Sequence, residues 1–248
     1  MNISLGLTSV SFRKNSPEEI LAAMQNTGLS CIEWGSDIHA PYHDICRLNQ
    51  LAAWGKEYGV SCSSYGTYFR AGVNTAEELL PYIQAAKILG TDRLRIWCGN
   101  KNSGDYTVPE QRALFTACQA LAAIAEKEHV TLCLECHPNT YTDTKGGALA
   151  VMQAVASKHL QMYWQPHPFE TEAENLAYAK AISPYVKAVH VFHWQENKRF
   201  PLAEGASVWK RYLSNFSTSP TLLLEFMPDD CLTSLQAEAQ ALVSITRE

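Results

Sequence analysis

The stretch "LCLECHPNT", residues 132–140, begins as an apolar, strand-like run and ends in polar residues. Glu135 and His137 stand at the end of the apolar run, followed by Pro138 and Asn139. An ionised carboxylate buried without a partner costs several kcal/mol. The stretch therefore predicts a cation or an arginine near Glu135, and it raises the question of whether other strands end in the same way.

Short β-branched runs alternate along the chain with longer segments whose apolar residues recur at helical spacing. The predicted strands cover residues 3–12, 31–35, 60–66, 93–99, 130–137, 160–166, 186–194 and 221–227. Capping boxes of the type Ser/Thr-x-x-Glu mark helix starts at Ser16, Thr75, Thr107 and Thr171. Eight strands, each followed by a helix, in 248 residues are typical of a single (β/α)8 TIM barrel.

An open, doubly wound sheet is the alternative fold. It is expected to carry a Gly-rich turn after an early strand, and neither GxGxxG nor a P-loop occurs in the sequence. No linker or shift in composition divides the chain, so residues 1–248 are predicted to form one domain.

Composition and charge exclude several classes of partner. The net charge is −5 and there is no basic run, whereas nucleic-acid binding needs clustered Lys and Arg. Neither a signal peptide nor an apolar run of about 18 residues is seen, so no membrane segment is predicted and a cytoplasmic location is expected. The eight cysteines are scattered and are predicted to be unpaired thiols; Cys133 and Cys136 form a single CxxC, interpreted as two buried strand residues.

Polar side chains end several of the predicted strands. In a barrel the carboxyl ends of the strands meet on one face, where active sites lie. Strands five to eight are neighbours around the barrel, and they carry Glu135, Gln165, His190 and Glu225. Oxygen and nitrogen donors that converge from adjacent strands predict a site for a divalent metal ion.

Each donor also has a structural interpretation. Glu135 would serve as an ion-pair partner of Arg95, His190 as a hydrogen-bonded core histidine, and Gln165 as an ordinary buried amide. Glu33, at the end of the second strand, is interpreted as a salt-bridge or hydrogen-bonding residue. The joint placement of the four donors favours the metal site over these separate interpretations.

Tryptophans cluster near the same strand ends. They are Trp34, Trp97, Trp164 and Trp194, which are four of the six in the chain. Two interpretations remain open: they fill the upper core of the barrel, or they form a wall for the apolar faces of a sugar.

The motifs "LECHPNTYTDT", "WQP", "HVFHW" and "LLEF", together with "GLTSVSFR" and "IEWGSDIHAP", resemble the xylose-isomerase-like TIM barrel superfamily. This superfamily holds sugar isomerases, ketose 3-epimerases, inosose dehydratases and metal-dependent apurinic endonucleases. The resemblance implies that the metal ligands are Glu135, Gln165, His190 and Glu225, with His193 as the alternative to His190. It also implies that Arg199, six residues after His193, lies near a substrate hydroxyl.

The sequence departs from the family pattern at two positions. Gln165 stands where the family has an aspartate, which removes one negative charge from the metal site. Tyr141 stands where the epimerase branch has a glutamate, so that role is missing.

The resemblance implies a metal-dependent isomerase or epimerase that acts on a sugar or polyol by proton transfer next to a carbonyl, through an enediolate. Mn, Mg, Co or Zn is the expected ion, and Glu135 and Glu225 are the expected catalytic residues. The expected substrate-binding residues are His137, Trp34, Trp97, His193, Trp194 and Arg199. The substrate and the oligomeric state, including a homo-oligomer, are left open.

Three alternatives to this function are considered. An inosose-type dehydratase would use the same site, and a non-catalytic sugar-binding barrel would have lost its metal. An endonuclease needs further His or Asp ligands on strands two and three, where His39 is the single candidate.

Overall fold

Eight parallel strands close into a barrel in the computed structural model, which describes residues 3–195 and 197–247. The barrel strands are β1 (Leu5–Thr8), β2 (Cys31–Gly35), β3 (Ser61–Ala71), β4 (Arg93–Cys98), β5 (Thr131–Glu135), β6 (Leu160–Trp164), β7 (Val186–Val191) and β8 (Thr221–Leu224). Each strand pairs with its neighbours in sequence, and β1 pairs with β8 to close the barrel. The predicted (β/α)8 fold is confirmed.

Helices follow the strands and cover the outside of the barrel. Those of the described residues are α1 (Pro17–Ala23), α2 (Ile45–Tyr58), α3 (Leu79–Leu89), α4 (Val108–Lys127), α5 (Lys145–Val155), α6 (Glu172–Ile182), α7 (Ala206–Leu213) and α8 (Leu235–Thr246). Three of the predicted capping boxes are formed, at Ser16, Thr107 and Thr171. At Thr75 only the backbone amide bonds to Glu78, at 2.6 Å, and α3 begins later, at Leu79.

Six of the eight strands are shorter than the sequence pattern predicts, whereas β3 extends further, to Ala71. Two of the shortened strands, β1 and β7, are followed by another defined structure. After β1, residues Ser9–Phe12 form a 3-10 turn, in which the hydroxyls of Thr8 and Ser11 are 3.1 Å apart. This local hydroxyl contact competes with strand extension. After β7, the chain turns into a small antiparallel hairpin of Trp194–Gln195 with Lys198–Arg199.

The cysteines agree with a further expectation. Every cysteine is unpaired, and Cys133 and Cys136 are both buried. Among the described residues, no helix combines the length and apolar character needed to cross a bilayer.

The interior of the barrel is layered. A small apolar cluster fills its lower part, made of Cys31, Cys133, Tyr163, Ala188 and Leu223. Because strand side chains alternate with a period of two, the residues two positions further along face inward as well. Those residues are Glu33, Glu135, Gln165, His190 and Glu225. The strand pattern thus places a polar layer on top of an apolar one.

Replacing Gly6 with Ala is expected to destabilise the protein by about 3 kcal/mol, because the lower layer has no room for a methyl group. A Cβ on Gly6 would collide with the backbone carbonyl of Cys31 and lie 2.6 Å from its Sγ and 2.9 Å from Leu223. Chemical denaturation measures the change. The control is Gly146→Ala, in the exposed first turn of α5, where a Cβ meets nothing within 4 Å. Equal stability of the two variants would contradict the close packing of this layer.

Candidate active site

A buried ion-pair network occupies the polar layer. Arg95, which projects inward from β4, donates from Nε to Glu33 at 3.2 Å and from Nη1 to Glu135 at 2.6 Å. All three side chains are almost completely buried. The arginine therefore supplies the positive partner that the "LCLEC" stretch predicts for Glu135.

The network keeps two carboxylates ionised despite their burial. Burial alone would raise the pKa of Glu33, but Arg95 and His190 outweigh it and lower this pKa to about 2. For Glu135, Arg95 and His190 likewise outweigh burial and hold the pKa below its usual value. Burial would lower the pKa of Arg95, yet Glu135 and Glu33 raise it above its ordinary value. The three groups thus stay charged at neutral pH.

His190 connects four strands at the centre of the layer. Its Nδ1 lies 3.1 Å from Gln165 Oε1, 3.2 Å from Glu135 Oε1 and 3.5 Å from Glu225 Oε2. Its Nε2 lies 3.5 Å from Glu33 Oε1 and makes no hydrogen bond with any of the described residues. Burial would lower the pKa of this imidazole, but Glu225 and the other carboxylates raise it to about 10.

Glu225 differs from the other two glutamates. It is buried, and its carboxylate forms no hydrogen bond with any other residue of the described chain. Burial dominates, so its pKa is raised to about 7 although His190 acts in the opposite direction. Two carboxyl groups in one site with pKa values shifted in opposite directions are an arrangement that suits acid–base chemistry.

A cavity of about 190 Å³ opens above this layer, and we call it the central cavity. It is lined by Val10, Arg13, Tyr68, Arg95, Trp97, Glu135, His137, Gln165, Glu225 and Phe226. Trp97 stacks on His137 with ring centroids 5.0 Å apart, and its Nε1 donates to Glu135. One wall is therefore aromatic, and carboxylates line the cavity beside it.

The backbone turns sharply after Glu225. Phe226 has φ +55°, a left-handed conformation that is uncommon for a residue other than Gly or Asn. Its amide donates to Ser11 Oγ at 3.1 Å, and its ring packs on Trp194 with centroids 4.9 Å apart. These contacts hold the strained turn beside the carboxylate.

The structure brings most of the sequence-predicted site residues to one place. The central cavity or the layer below it includes Glu135, Glu225, Gln165, His190, His137 and Trp97. Of the two candidate histidines on strand seven, His190 lies in the polar layer. His193 lies in the loop beyond β7, packed against Phe200 and Gly205.

Other predicted residues lie elsewhere. Trp34 is not brought to the central cavity, because β2 alternates: Glu33 faces the interior, and Trp34 faces the helices and packs on His39. Trp164 fills the core between Trp209 and Tyr212.

Two hairpin residues border neighbouring cavities instead of the central one. Trp194 lines a cavity of about 270 Å³ together with His193. Arg199 pairs with Asp230 at the edge of a third cavity.

Sequence reasoning missed part of the site. The salt bridge predicted for Glu33 is present, with Arg95 as the partner. The sequence pattern does not predict the place of Glu33 in the polar layer beside His190. Arg13 and Tyr68, which line the central cavity and bond to each other at 2.6 Å, were not assigned a role. Arg13 directly follows "GLTSVSF" at the end of the first predicted strand, which is the signal that points to it.

The described side chains of the polar layer bond to one another and do not surround a position for a metal ion. Within residues 3–195 and 197–247, no group of three or more His, Cys, Asp and Glu side chains is arranged to hold a metal ion. Here the oxygens of Glu135 and Gln165 converge on a nitrogen of His190, and the second oxygen of Glu135 bonds to Arg95.

The chemistry of the donor set nevertheless fits a divalent cation. Two carboxylates, one imidazole and one amide oxygen are all donors that such ions accept. Glu33 lies beside the far nitrogen of His190, in the position of a carboxylate that orients a metal-bound imidazole.

The xylose isomerase-like TIM barrel family matches residues 21–220 of the sequence. The chain belongs to this family. The family is named for the TIM barrel, which is the fold of this chain.

Solved structures of the same architecture resemble the chain over almost its whole length. A probable 3-DHS dehydratase involved in petrobactin synthesis in Bacillus anthracis superposes with a TM-score of 0.84 at 18% identity, over 99% of this chain and 100% of the other. The IOLI protein with a bound zinc atom has a TM-score of 0.78 at 16% identity, over 98% of each chain. An L-ribulose 3-epimerase has a TM-score of 0.75 at 15% identity, over 98% of this chain and 94% of the other. At these identities the likeness shows the fold.

A curated relative is similar in sequence over part of its length. The 3-dehydroshikimate dehydratase of Bacillus anthracis is 24% identical over 101 residues. The match covers 40% of this chain and 36% of the relative, so the chain matches little more than a third of that protein.

Proposed function

We propose that the protein is a sugar- or polyol-modifying enzyme that moves a proton next to a carbonyl, as an isomerase or epimerase does. The observation that carries the proposal is the meeting of Glu135 and Glu225 on one imidazole nitrogen, beneath a cavity of substrate size. Of this pair, Glu225 is the base that removes a C–H proton and, once protonated, the acid that returns it, while the ionised Glu135 is held in the ion-pair network.

Glu225 is the group best placed to move the proton. Within the described residues its carboxylate pairs only with His190, at 3.5 Å, so it can turn toward a substrate in the central cavity. Glu135 is fixed, because one of its oxygens accepts from both Arg95 and Trp97. Glu135 therefore orients its surroundings, while Glu225 abstracts the proton.

The walls of the central cavity suit a polyhydroxylated ligand. The stacked rings of Trp97 and His137 offer an apolar surface to the C–H faces of a sugar. Gln165, Tyr68 and Arg13 offer polar groups that fix its hydroxyls.

Glu135, Gln165, His190 and Glu225 would hold a divalent metal ion in this site. Such an ion polarises the substrate carbonyl and so favours loss of the neighbouring proton. The zinc-binding IOLI protein of the same fold supports the proposal.

A second candidate reaction is dehydration of a β-hydroxy carbonyl compound. The partial sequence match to 3-dehydroshikimate dehydratase favours it, as does the absence of the epimerase glutamate at Tyr141. The first step, abstraction of a proton next to the carbonyl by Glu225, is the same. The next step differs: in dehydration the β-hydroxyl leaves as water, whereas in isomerisation or epimerisation a proton returns to carbon.

Solvent exchange tests both reactions. The protein is incubated in D2O with Mn2+ and a panel of ketoses, inososes and sugar acids, and the products are examined by mass spectrometry and NMR. For isomerisation or epimerisation we expect a product of unchanged composition with one deuterium at the carbon next to the carbonyl, where the proton returns. Dehydration instead gives a product that has lost one water and takes up no deuterium in the elimination, because no proton returns to carbon. A double variant, Glu135→Gln with Glu225→Gln, is the control. An isomerised or epimerised product without deuterium, or equal turnover by the double variant, would refute the proposal.

A further inference from the structure

The cavity that Arg199 borders is basic in character and adjoins the central cavity. It measures about 210 Å³, and its walls carry three cationic side chains, Arg13, Lys14 and Arg199, against one carboxylate, Asp230. We call it the basic cavity. Asp37, which pairs with Arg13 from outside this lining, offsets one further positive charge. The remaining excess is opposite in sign to the net charge of the protein, which is −5. Such local concentration of positive charge attracts anionic groups.

The two cavities are continuous in their walls. Val10, Arg13 and Phe226 line both of them. Phe226 directly follows Glu225, so the basic cavity begins one residue away from the group that moves the proton. A substrate held above Glu225 can therefore extend past the Phe226 ring toward the cations.

Arg13 keeps part of its hydrogen-bonding capacity for a ligand. Its Nε donates to Asp37 at 2.9 Å, its Nη1 to the carbonyl of Val10 at 3.1 Å, and its Nη2 to Tyr68 at 2.6 Å. These contacts use three of the five N–H groups of a guanidinium. They also hold the side chain in place, so it is preorganised for recognition.

Arg199 and Lys14 also retain donors in the described part of the chain. Arg199 uses only Nη1, toward Asp230 and the carbonyl of Met227, which leaves its Nε and Nη2 without a hydrogen-bond partner there. Its guanidinium lies 5.0 Å from the centre of the Phe226 ring, and this contact fixes its orientation. Lys14 is exposed and forms no hydrogen bond or ion pair within that same part.

We propose that the substrate of the reaction above carries an anionic group, a carboxylate or a phosphate, and that Arg13, Lys14 and Arg199 bind it in the basic cavity. That the bound anion is part of a substrate rests on the proposed function, whereas the binding of an anion in the basic cavity does not depend on turnover. A planar guanidinium pairs with either anion through two parallel hydrogen bonds. The basic cavity then determines specificity, because a neutral sugar would leave its cations without a partner.

The test measures binding of three probes of known charge by calorimetry at low ionic strength. The probes are inorganic phosphate, gluconate and the neutral polyol glucitol. We expect phosphate or gluconate, or both, to bind more tightly than glucitol, and the preferred anion identifies the group. In the variant Arg13→Gln with Arg199→Gln, the affinity for that anion should fall at least tenfold. Lys14→Gln should reduce the affinity less. This variant leaves no carboxylate without its partner, unlike the arginine variant.

A matched control removes two positive charges elsewhere. Lys127→Gln with Lys158→Gln changes exposed lysines outside both cavities and should leave the affinity within twofold of the wild type. Equal loss in the control and in the arginine variant would show a general charge effect and overturn the proposal. Binding of all three probes with the same affinity would overturn it as well.

The variant Glu225→Gln separates this proposal from the proposed function. It should bind the preferred anion as the wild type does, because Glu225 does not line the basic cavity. Anion binding that survives in Glu225→Gln and fails in the arginine variant supports the basic cavity even where the exchange reaction is absent. Loss of anion binding in Glu225→Gln would instead assign the anion to the central cavity.

Discussion

Replacing Glu225 with Gln should lower kcat/KM by about 10²- to 10⁴-fold, the usual contribution of a general acid or base. The side chains have the same shape, and the change removes the proton-accepting group from the central cavity. Stability should change by no more than about 1 kcal/mol, since the carboxylate forms no hydrogen bond in the described chain and gains only its attraction to His190. Steady-state kinetics on the substrate identified by solvent exchange, together with denaturant unfolding, measures both effects.

Glu135→Gln is the matched comparison for that variant. It deprives Arg95 of a charged partner at 2.6 Å in a buried site, so a loss of about 3 kcal/mol is expected in addition to lost activity. The pair of variants thus separates the glutamate that moves the proton from the one that is held in the ion-pair network. Full activity of Glu225→Gln, or equal destabilisation by both changes, would contradict this division.

Replacing Arg95 with Met should destabilise the protein by about 3–5 kcal/mol, because two buried carboxylates lose their common cation. For a chain of this size, that corresponds to a fall in Tm of roughly 6–20 °C. Thermal and denaturant unfolding at several pH values measures it.

The loss of stability caused by Arg95→Met should depend on pH in a defined direction. In the wild type the pKa of Glu33 is lowered to about 2, against about 4.3 in an unfolded chain. Glu33 therefore contributes stability above about pH 4.3 and loses it as the pH falls toward 2.

Without Arg95, burial raises the pKa values of Glu33 and Glu135, so the variant loses stability as the pH rises above about 4.3. The difference from the wild type should be smallest near pH 2, where Glu33 becomes protonated in both proteins, and should grow as the pH rises, to its largest value at neutral pH. The double variant Arg95→Met with Glu33→Gln should recover part of the loss. A difference independent of pH would show that Arg95 acts through packing alone.

The sequence predicts the barrel well because the signals for it are local. Alternation of strand and helix patterns, and the capping boxes at Ser16, Thr107 and Thr171, depend on residues close in the chain. The convergence of Glu135, Gln165, His190 and Glu225 also follows once the strands are counted, because neighbouring parallel strands end on the same face.

Features that depend on single positions within a strand are harder to infer. Glu33 and Trp34 are adjacent, and only the register of β2 in the barrel decides which of them faces the interior. His190 and His193 both belong to "HVFH", and the distinction depends on β7 ending at Val191. The ion pairs of Arg95 connect β2, β4 and β5, so no short-range pattern contains them.

The hydrogen bond from the Phe226 amide to Ser11 has a mechanical consequence. It joins the segment that carries Glu225 to the turn that leads into Arg13. Loop exchanges that reshape the turn after β1 will therefore also shift the Glu225 carboxylate. Redesign of one segment for a new ligand must keep that amide–hydroxyl link or rebuild both segments together.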